Sequence, residues 1–214
     1  MTVRTGERPP PRPTDWNVPN ALTVLRILLV PVYGFLLLQE DGSQPWWRFW
    51  AWIVFVGAAI TDGIDGRLAR SRGQITDFGK VSDPIADKAL TGMAFIGLSL
   101  LGVIWWWVTL VILVRELGVT LLRFVVIRHG VMPAGRGGKL KTMLQTLALA
   151  ALTFPLHVLP LAEVWRWAAY GMLAAALVVT VVTGVDYLFK ADRLRRSSAR
   201  TAARRAARRA ARSG

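Results

Sequence analysis

Apolar residues fill six stretches of this chain, at roughly 18–38, 46–69, 81–101, 104–128, 139–159 and 164–189. Each is close to the ~20 mostly apolar residues that a helix needs to cross a bilayer. The polar breaks between them alternate in character. QEDGSQP at 39–45, LGV at 101–103 and LPLAE at 159–163 are short and nearly free of positive charge. The other breaks hold Arg67, Arg70, Arg72 and Lys80, then Arg128, Arg136, Lys139 and Lys141, with Arg4, Arg8 and Arg12 before the first run. Excess Lys and Arg mark cytoplasmic loops. The pattern therefore predicts an all-α integral membrane protein of six transmembrane helices with both termini cytoplasmic. Tryptophan points the same way. Trp46, Trp47, Trp50, Trp105, Trp106, Trp107, Trp165 and Trp167 cluster at the three charge-poor turns, where an interfacial aromatic belt belongs.

Composition agrees with that architecture: 53% hydrophobic residues and a mean hydropathy of +0.40. The absence of cysteine excludes disulfides and thiolate metal sites. The formal charge of +14 is unevenly spread. Ten of the 27 basic residues lie from Lys190 onward, against one acid, Asp192. Three regions follow: a Pro/Arg-rich segment at 1–16, a six-helix domain at 17–189 and an Arg/Ala-rich tail at 190–214. The first apolar run lacks a small-residue cleavage site and reads as a retained helix. The tail is expected to be drawn to anionic lipid, at about 1 kcal/mol per basic residue near the surface. Nothing in the apolar body supports a nucleic-acid partner.

Four carboxylates stand out because they sit at the edges of apolar runs. Asp62 and Asp65 are three apart and Asp83 and Asp87 four apart, so each pair shares a helix face. The loop at 71–78 is short, which predicts antiparallel neighbours whose acidic pairs converge near the cytoplasmic surface. One charge at mid-membrane costs about 2.5–3.5 kcal/mol on insertion scales, and four like charges also repel. Oxygen-only ligands in this number suit Mg²⁺, Mn²⁺ or Ca²⁺ and can hold two ions. A plainer reading pairs the acids with Arg67, Arg70, Lys80 and Lys88, but it accounts for one or two acids and not for two same-face pairs. An EF-hand has different ligand and glycine spacing. Gly66, Ala69 and Gly79 leave space near the acids, Arg70 can fork onto a phosphate, and Thr76 adds a hydroxyl. These details favour a nucleotide.

The run Asp62-Gly63-Ile64-Asp65-Gly66-Arg67-Leu68-Ala69-Arg70, followed after eight residues by Gly79, after three more by Asp83 and after three more by Asp87, resembles the motif of the CDP-alcohol phosphatidyltransferase family. All eight defining positions match. The resemblance implies a six-helix membrane enzyme, usually a homodimer, in which an alcohol displaces CMP from a CDP-alcohol. It makes Asp62, Asp65 and Asp83 metal ligands for Mg²⁺ or Mn²⁺, in a two-ion site. Asp87 is then a ligand, the general base, or both. Asn20, Thr23, Gly66, Ala69, Arg70, Thr76 and Gly79 would surround the CDP moiety.

Two further segments narrow the acceptor. NVPNALTVLRILLVP at 17–31, with Asn20, Thr23 and Arg26 three apart, and RELGVTLLRFVVIRHGVMPAGRGGKLKTMLQ at 115–145 resemble the phosphatidylglycerophosphate synthase branch of that family. This implies CDP-diacylglycerol and sn-glycerol 3-phosphate as substrates at the cytoplasmic face of the cell membrane. In physical terms, Arg115 and Arg123 lie two turns apart on one face, and Glu116 can neutralise one of them. Lys139 and Lys141 open a helix behind a glycine-rich loop, and a helix N-terminus favours phosphate. The plainer alternative makes the lysines cytoplasmic anchors and Arg115 an internal ion pair. Phosphatidylinositol-phosphate synthase and a CDP-diacylglycerol-dependent cardiolipin synthase share the same chemistry with other acceptors. A divalent-cation transporter would also carry intramembrane acids, but near the midplane and at broken helices.

Overall fold

The computed structural model describes the backbone of residues 18–71, 77–126 and 136–213 and the side chains of 20–63, 82, 85–121 and 138–189. Every long element among them is helical. These are α1 (Val18–Leu38), α2 (Pro45–Ser71), α3 (Asp77–Leu100), α4 (Trp106–Val126), α5 (Arg136–Thr153) and α6 (Ala162–Ser213), with single 3₁₀ turns at Gln39–Gly42 and Leu156–Val158. Five helices begin and end close to the apolar runs that predict them. α6 departs from its run: it has 52 residues and continues unbroken past Phe189 through the basic tail. Ala and Arg are strong helix formers, so nothing in that tail stops the helix before its last residues.

α1 packs against both α2 and α3, while α6 packs against α4 and α5. α5 joins the two groups through its contacts with α2 and α3. The sequence expects α2 and α3 to be direct antiparallel neighbours. Among the described residues the main contacts of each are with α1, and the inner ends where the two would meet lie outside the described side chains. Small residues permit the close packing. Ala51, Ala58, Ala94, Ala148 and Ala169 are buried beside Tyr33, Phe55, Phe95 and Leu149 in one core. Such small residues are what allow helix backbones to approach in membrane proteins.

The outward faces are as apolar as the core. Leu25, Leu28, Val32 and Phe35 on α1, Leu110, Val114, Leu117 and Leu121 on α4, and Val178, Val182, Val185 and Leu188 on α6 are all exposed. A surface of this kind belongs to a membrane protein. Two segments, Asn20–Gly42 and Ala162–Phe189, are long and apolar enough to cross a bilayer. Of the charged residues singled out by sequence on the other helices, Asp62, Asp87, Arg115, Lys139 and Lys141 line a common cavity.

The ends without basic loops are built by tight turns. α3 stops at Gly102, whose φ of +68° only glycine adopts without strain. There the Val103 N–H donates to the Leu98 carbonyl at 2.8 Å and the Gly102 N–H to that of Ser99 at 3.1 Å, the paired bonds of a Schellman cap. At the same end Arg48 of α2 donates to the last carbonyls of α5, from Nε to Thr153 O at 3.2 Å and from Nη2 to Leu152 O. The Tyr33 and Thr153 hydroxyls hydrogen-bond at 3.0 Å, tying α1 to the same point.

Arg48 stands about 21 Å along α2 from Asp62 at 1.5 Å per residue. Its replacement should therefore affect stability and not chemistry. Hydrogen bonds to a charged group are worth about 1.5–3 kcal/mol, so Arg48→Ala should lower the thermal midpoint in detergent by about 5–10 °C. Circular dichroism melts would check this, with turnover per folded molecule unchanged.

Candidate active site

A cavity of about 940 Å³ opens at the end of the bundle where the basic loops lie, and all six helices contribute to its wall. α1 gives Arg26, α2 Asp62 and α3 Asp87 and Lys88. α4 gives Arg115, Glu116 and Thr120, α5 Lys139, Lys141 and Thr142, and α6 Tyr187. Its inner end is apolar, closed by the buried Phe55, Ala58 and Leu90. Polar side chains thus crowd one level of the bundle, and the hydrophobic core begins directly behind them.

On one side, Asp62 and Asp87 face the cavity from two helices. Asp62 accepts a 2.5 Å hydrogen bond at Oδ1 from Nη1 of Arg26. Arg26 is only 1% exposed, and an arginine this deep requires an anionic partner. This partner comes from α1, 36 positions earlier, and is not among those the sequence offers for the acids. Of those, the side chains of Arg67, Arg70 and Lys80 lie outside the described residues. Carboxylate oxygens from two converging helices are the hard donors that Mg²⁺ or Mn²⁺ takes, so this donor set fits such an ion. The side chains of Asp65 and Asp83 lie outside the described residues. Among the described residues no cluster of three metal-ligating side chains occurs.

On the other side, one carboxylate gathers three cations. Glu116 Oε1 accepts from Arg115 Nη1 at 2.9 Å and from Lys141 Nζ, and Lys88 Nζ lies 3.8 Å from Oε2. Lys88 also donates to the Glu116 backbone carbonyl at 3.3 Å and to Thr120 Oγ1 at 2.5 Å. Arg115 is held from α6 as well, by a 2.5 Å bond from Nη2 to Thr183 Oγ1. Gly184 allows that approach, since a Cβ there would lie 3.0 Å from Arg115 Cγ and 3.3 Å from Nε. Nε of Arg115 is buried without a hydrogen-bond partner. Lys141 is buried, whereas Lys139 is exposed at the cavity wall.

The structure thus brings Asp62, Asp87, Arg115, Lys139 and Lys141 to one cavity. Asn20 and Thr23 are buried on α1, about two turns and one turn before Arg26, and are not among the residues lining the cavity. Gly66, Ala69, Arg70, Thr76, Gly79 and Arg123 fall where side chains, or for Thr76 the backbone also, are outside the description. Sequence reasoning left Arg26 without a role, offered Lys88 only as a partner for the aspartates, and did not place Thr183 or Tyr187 at the site. A faint signal existed for α6: Thr180 and Thr183 precede Gly184 at helical spacing within an otherwise aliphatic run.

Comparison with known proteins agrees with this geometry. The sequence profile of the family described as CDP-alcohol phosphatidyltransferase matches residues 16–183. A Mycobacterium tuberculosis protein named "Probable phosphatidylglycerophosphate synthase" is 51% identical over 177 residues, which cover 83% of this chain and 82% of that protein. A Bacillus subtilis protein named "CDP-diacylglycerol–glycerol-3-phosphate 3-phosphatidyltransferase" is 37% identical over 185 residues, covering 82% and 95%. An Escherichia coli protein of the same name is 34% identical over 178 residues, covering 79% and 90%.

Proposed function

Because this chain belongs to the CDP-alcohol phosphatidyltransferase family, we propose that its cavity moves the phosphatidyl group of CDP-diacylglycerol to sn-glycerol 3-phosphate, giving phosphatidylglycerophosphate and CMP. The observation that carries this reading is the division of one cavity into a side with Asp62 and Asp87, on α2 and α3, and a side where Lys88, Arg115 and Lys141 gather from α3, α4 and α5. The first suits a metal-bound pyrophosphate, and the second a phosphorylated acceptor.

Asp62, Asp65, Asp83 and Asp87 would hold Mg²⁺ or Mn²⁺, in a two-ion site. Such ions supply charge neutralisation at a pyrophosphate as CMP leaves. Asn20, Thr23, Gly66, Ala69, Arg70, Thr76 and Gly79 would surround the CDP moiety. Arg115, Arg123, Lys139 and Lys141 take the acceptor's phosphate, which orients its 1-hydroxyl toward the carboxylate side. That oxygen attacks the phosphorus bearing diacylglycerol. The new P–O bond forms as the pyrophosphate P–O bond breaks, and Asp87 takes the hydroxyl proton. The apolar residues at the cavity's inner end exclude water, which would otherwise compete as the nucleophile. CMP release from CDP-diacylglycerol, measured with glycerol 3-phosphate, inositol 3-phosphate and phosphatidylglycerol as acceptors, tests the assignment. A preference for either of the last two would overturn the acceptor, and no release with any of them would overturn the activity.

In this reading all six helices cross the cell membrane, both termini and the cavity mouth face the cytoplasm, and the enzyme works as a homodimer. The distribution of Arg and Lys and the exposed tryptophans at the opposite end support that orientation. The tail from Lys190 attracts anionic lipid. Deleting residues 195–214 should leave turnover in neutral detergent micelles near wild type. It should also weaken the activation of the enzyme by anionic lipid, and added salt should mimic the deletion by screening. Activity lost in neutral micelles would place the tail in the active site.

A further inference from the structure

Lys88, Arg115 and Lys141 come from three helices and meet at a single carboxylate, that of Glu116. This cluster carries three positive charges and one negative, a surplus of two, which complements a phosphate monoester dianion. Lys141 and Arg115 each give a proton to Glu116 Oε1, the kind of charge-assisted bond that a phosphate oxygen accepts. The glutamate therefore already occupies the seat of an anion. Its side chain is 19% exposed and lines the cavity, so it has space into which it can withdraw.

The proposed reaction explains why such a competitor is useful. The acceptor's phosphate takes no part in bond making and leaves on the product unchanged. Cations that grip it gain nothing for the chemical step if they hold substrate and product equally, and a grip too strong delays release. Resting on the acceptor site proposed above, we infer that Glu116 is an exchangeable counter-ion. It holds the three cations together while the cavity is empty, yields them to the acceptor's phosphate, and reclaims them as the product departs. Glu116 thereby positions Arg115 and Lys141 and limits their affinity.

The test uses the full chain purified in detergent with Mg²⁺ and inorganic phosphate as the probe. Glu116→Gln keeps an oxygen for Arg115 and Lys141 but removes the charge. It should bind phosphate about ten-fold more tightly, with KM for glycerol 3-phosphate and kcat falling together. Glu116→Asp, which retains the charge, should return both toward wild type. Unchanged or weaker phosphate binding by a folded Glu116→Gln overturns the inference. Should that variant not fold, the wild type decides the matter. With ¹³C placed in glutamate carboxyl groups, the Glu116 resonance should move when phosphate is added. The chain has three other glutamates: Glu40 and Glu163 lie at the opposite end, and Glu7 precedes α1. A Glu116 signal that stays still while phosphate binds overturns the exchange. Phosphate binding untouched by Lys141→Ala is a different failure, because it removes the acceptor site itself.

Discussion

Asp87→Asn should abolish CMP release, by roughly a thousand-fold or more, while leaving a protein that is monodisperse and folded in detergent. A carboxylate that takes a proton or binds an ion contributes several kcal/mol at the transition state, and about 4 kcal/mol corresponds to three decades of rate. Asp62→Asn should be equally inactive but also less stable. The amide still accepts a hydrogen bond from Arg26, yet it no longer neutralises a guanidinium that is 1% exposed. Chelation of divalent ions should silence the wild type, and Mg²⁺ or Mn²⁺ should restore it. Full turnover in excess chelator would refute the metal site, and normal turnover by Asp87→Asn would remove its role in catalysis.

The second large effect is expected on the cation side. Lys141→Ala and Arg115→Ala should each lower kcat/KM for glycerol 3-phosphate by about ten- to hundred-fold, because a charge-assisted hydrogen bond is worth roughly 1.5–3 kcal/mol. The KM for CDP-diacylglycerol should change little. Lys139→Ala should cost far less, about five-fold at most, since exposed charges contribute only ~0–1 kcal/mol. This gradient between two lysines on one helix distinguishes a built site from general attraction. If the Lys139 and Lys141 variants lose equally, a diffuse positive field is at work. If Lys141→Ala instead weakens CDP-diacylglycerol binding alone, the lysine serves the nucleotide and the acceptor assignment fails.

What could be read in advance was whatever depends on neighbours in the chain. Helix positions follow from apolar runs, so α1 at Val18–Leu38 coincides with its run. The level shared by Asp62 and Asp87 follows from the order of the helices and the sign of the loops. Side-chain partners were harder, because they depend on which helices touch. Asp62 and Arg26 are 36 residues apart, and Glu116 and Lys141 are 25 apart. No periodicity connects them. The adjacency of Arg115 and Glu116 did suggest one ion pair, and that pair is present at 2.9 Å. Its extension to Lys88 and Lys141 required α3 and α5 to close on α4 at the same depth.

The length of α6 sets a mechanical condition on the basic tail. At 1.5 Å per residue its 52 residues span about 78 Å, of which the apolar stretch to Phe189 takes about 42 Å. A straight rod would carry its last arginines about 36 Å from the bilayer. At physiological ionic strength charges separated by more than about 8 Å from a surface are largely screened. A rigid mast would leave most of the tail's cations blind to lipid headgroups, however many there were. Attraction to anionic lipid therefore requires a hinge near Phe189, at which the rod lies down along the membrane. Activation by such lipid would then report the tilt of a lever arm, and a proline placed at that hinge should ease the tilt without altering a single charge.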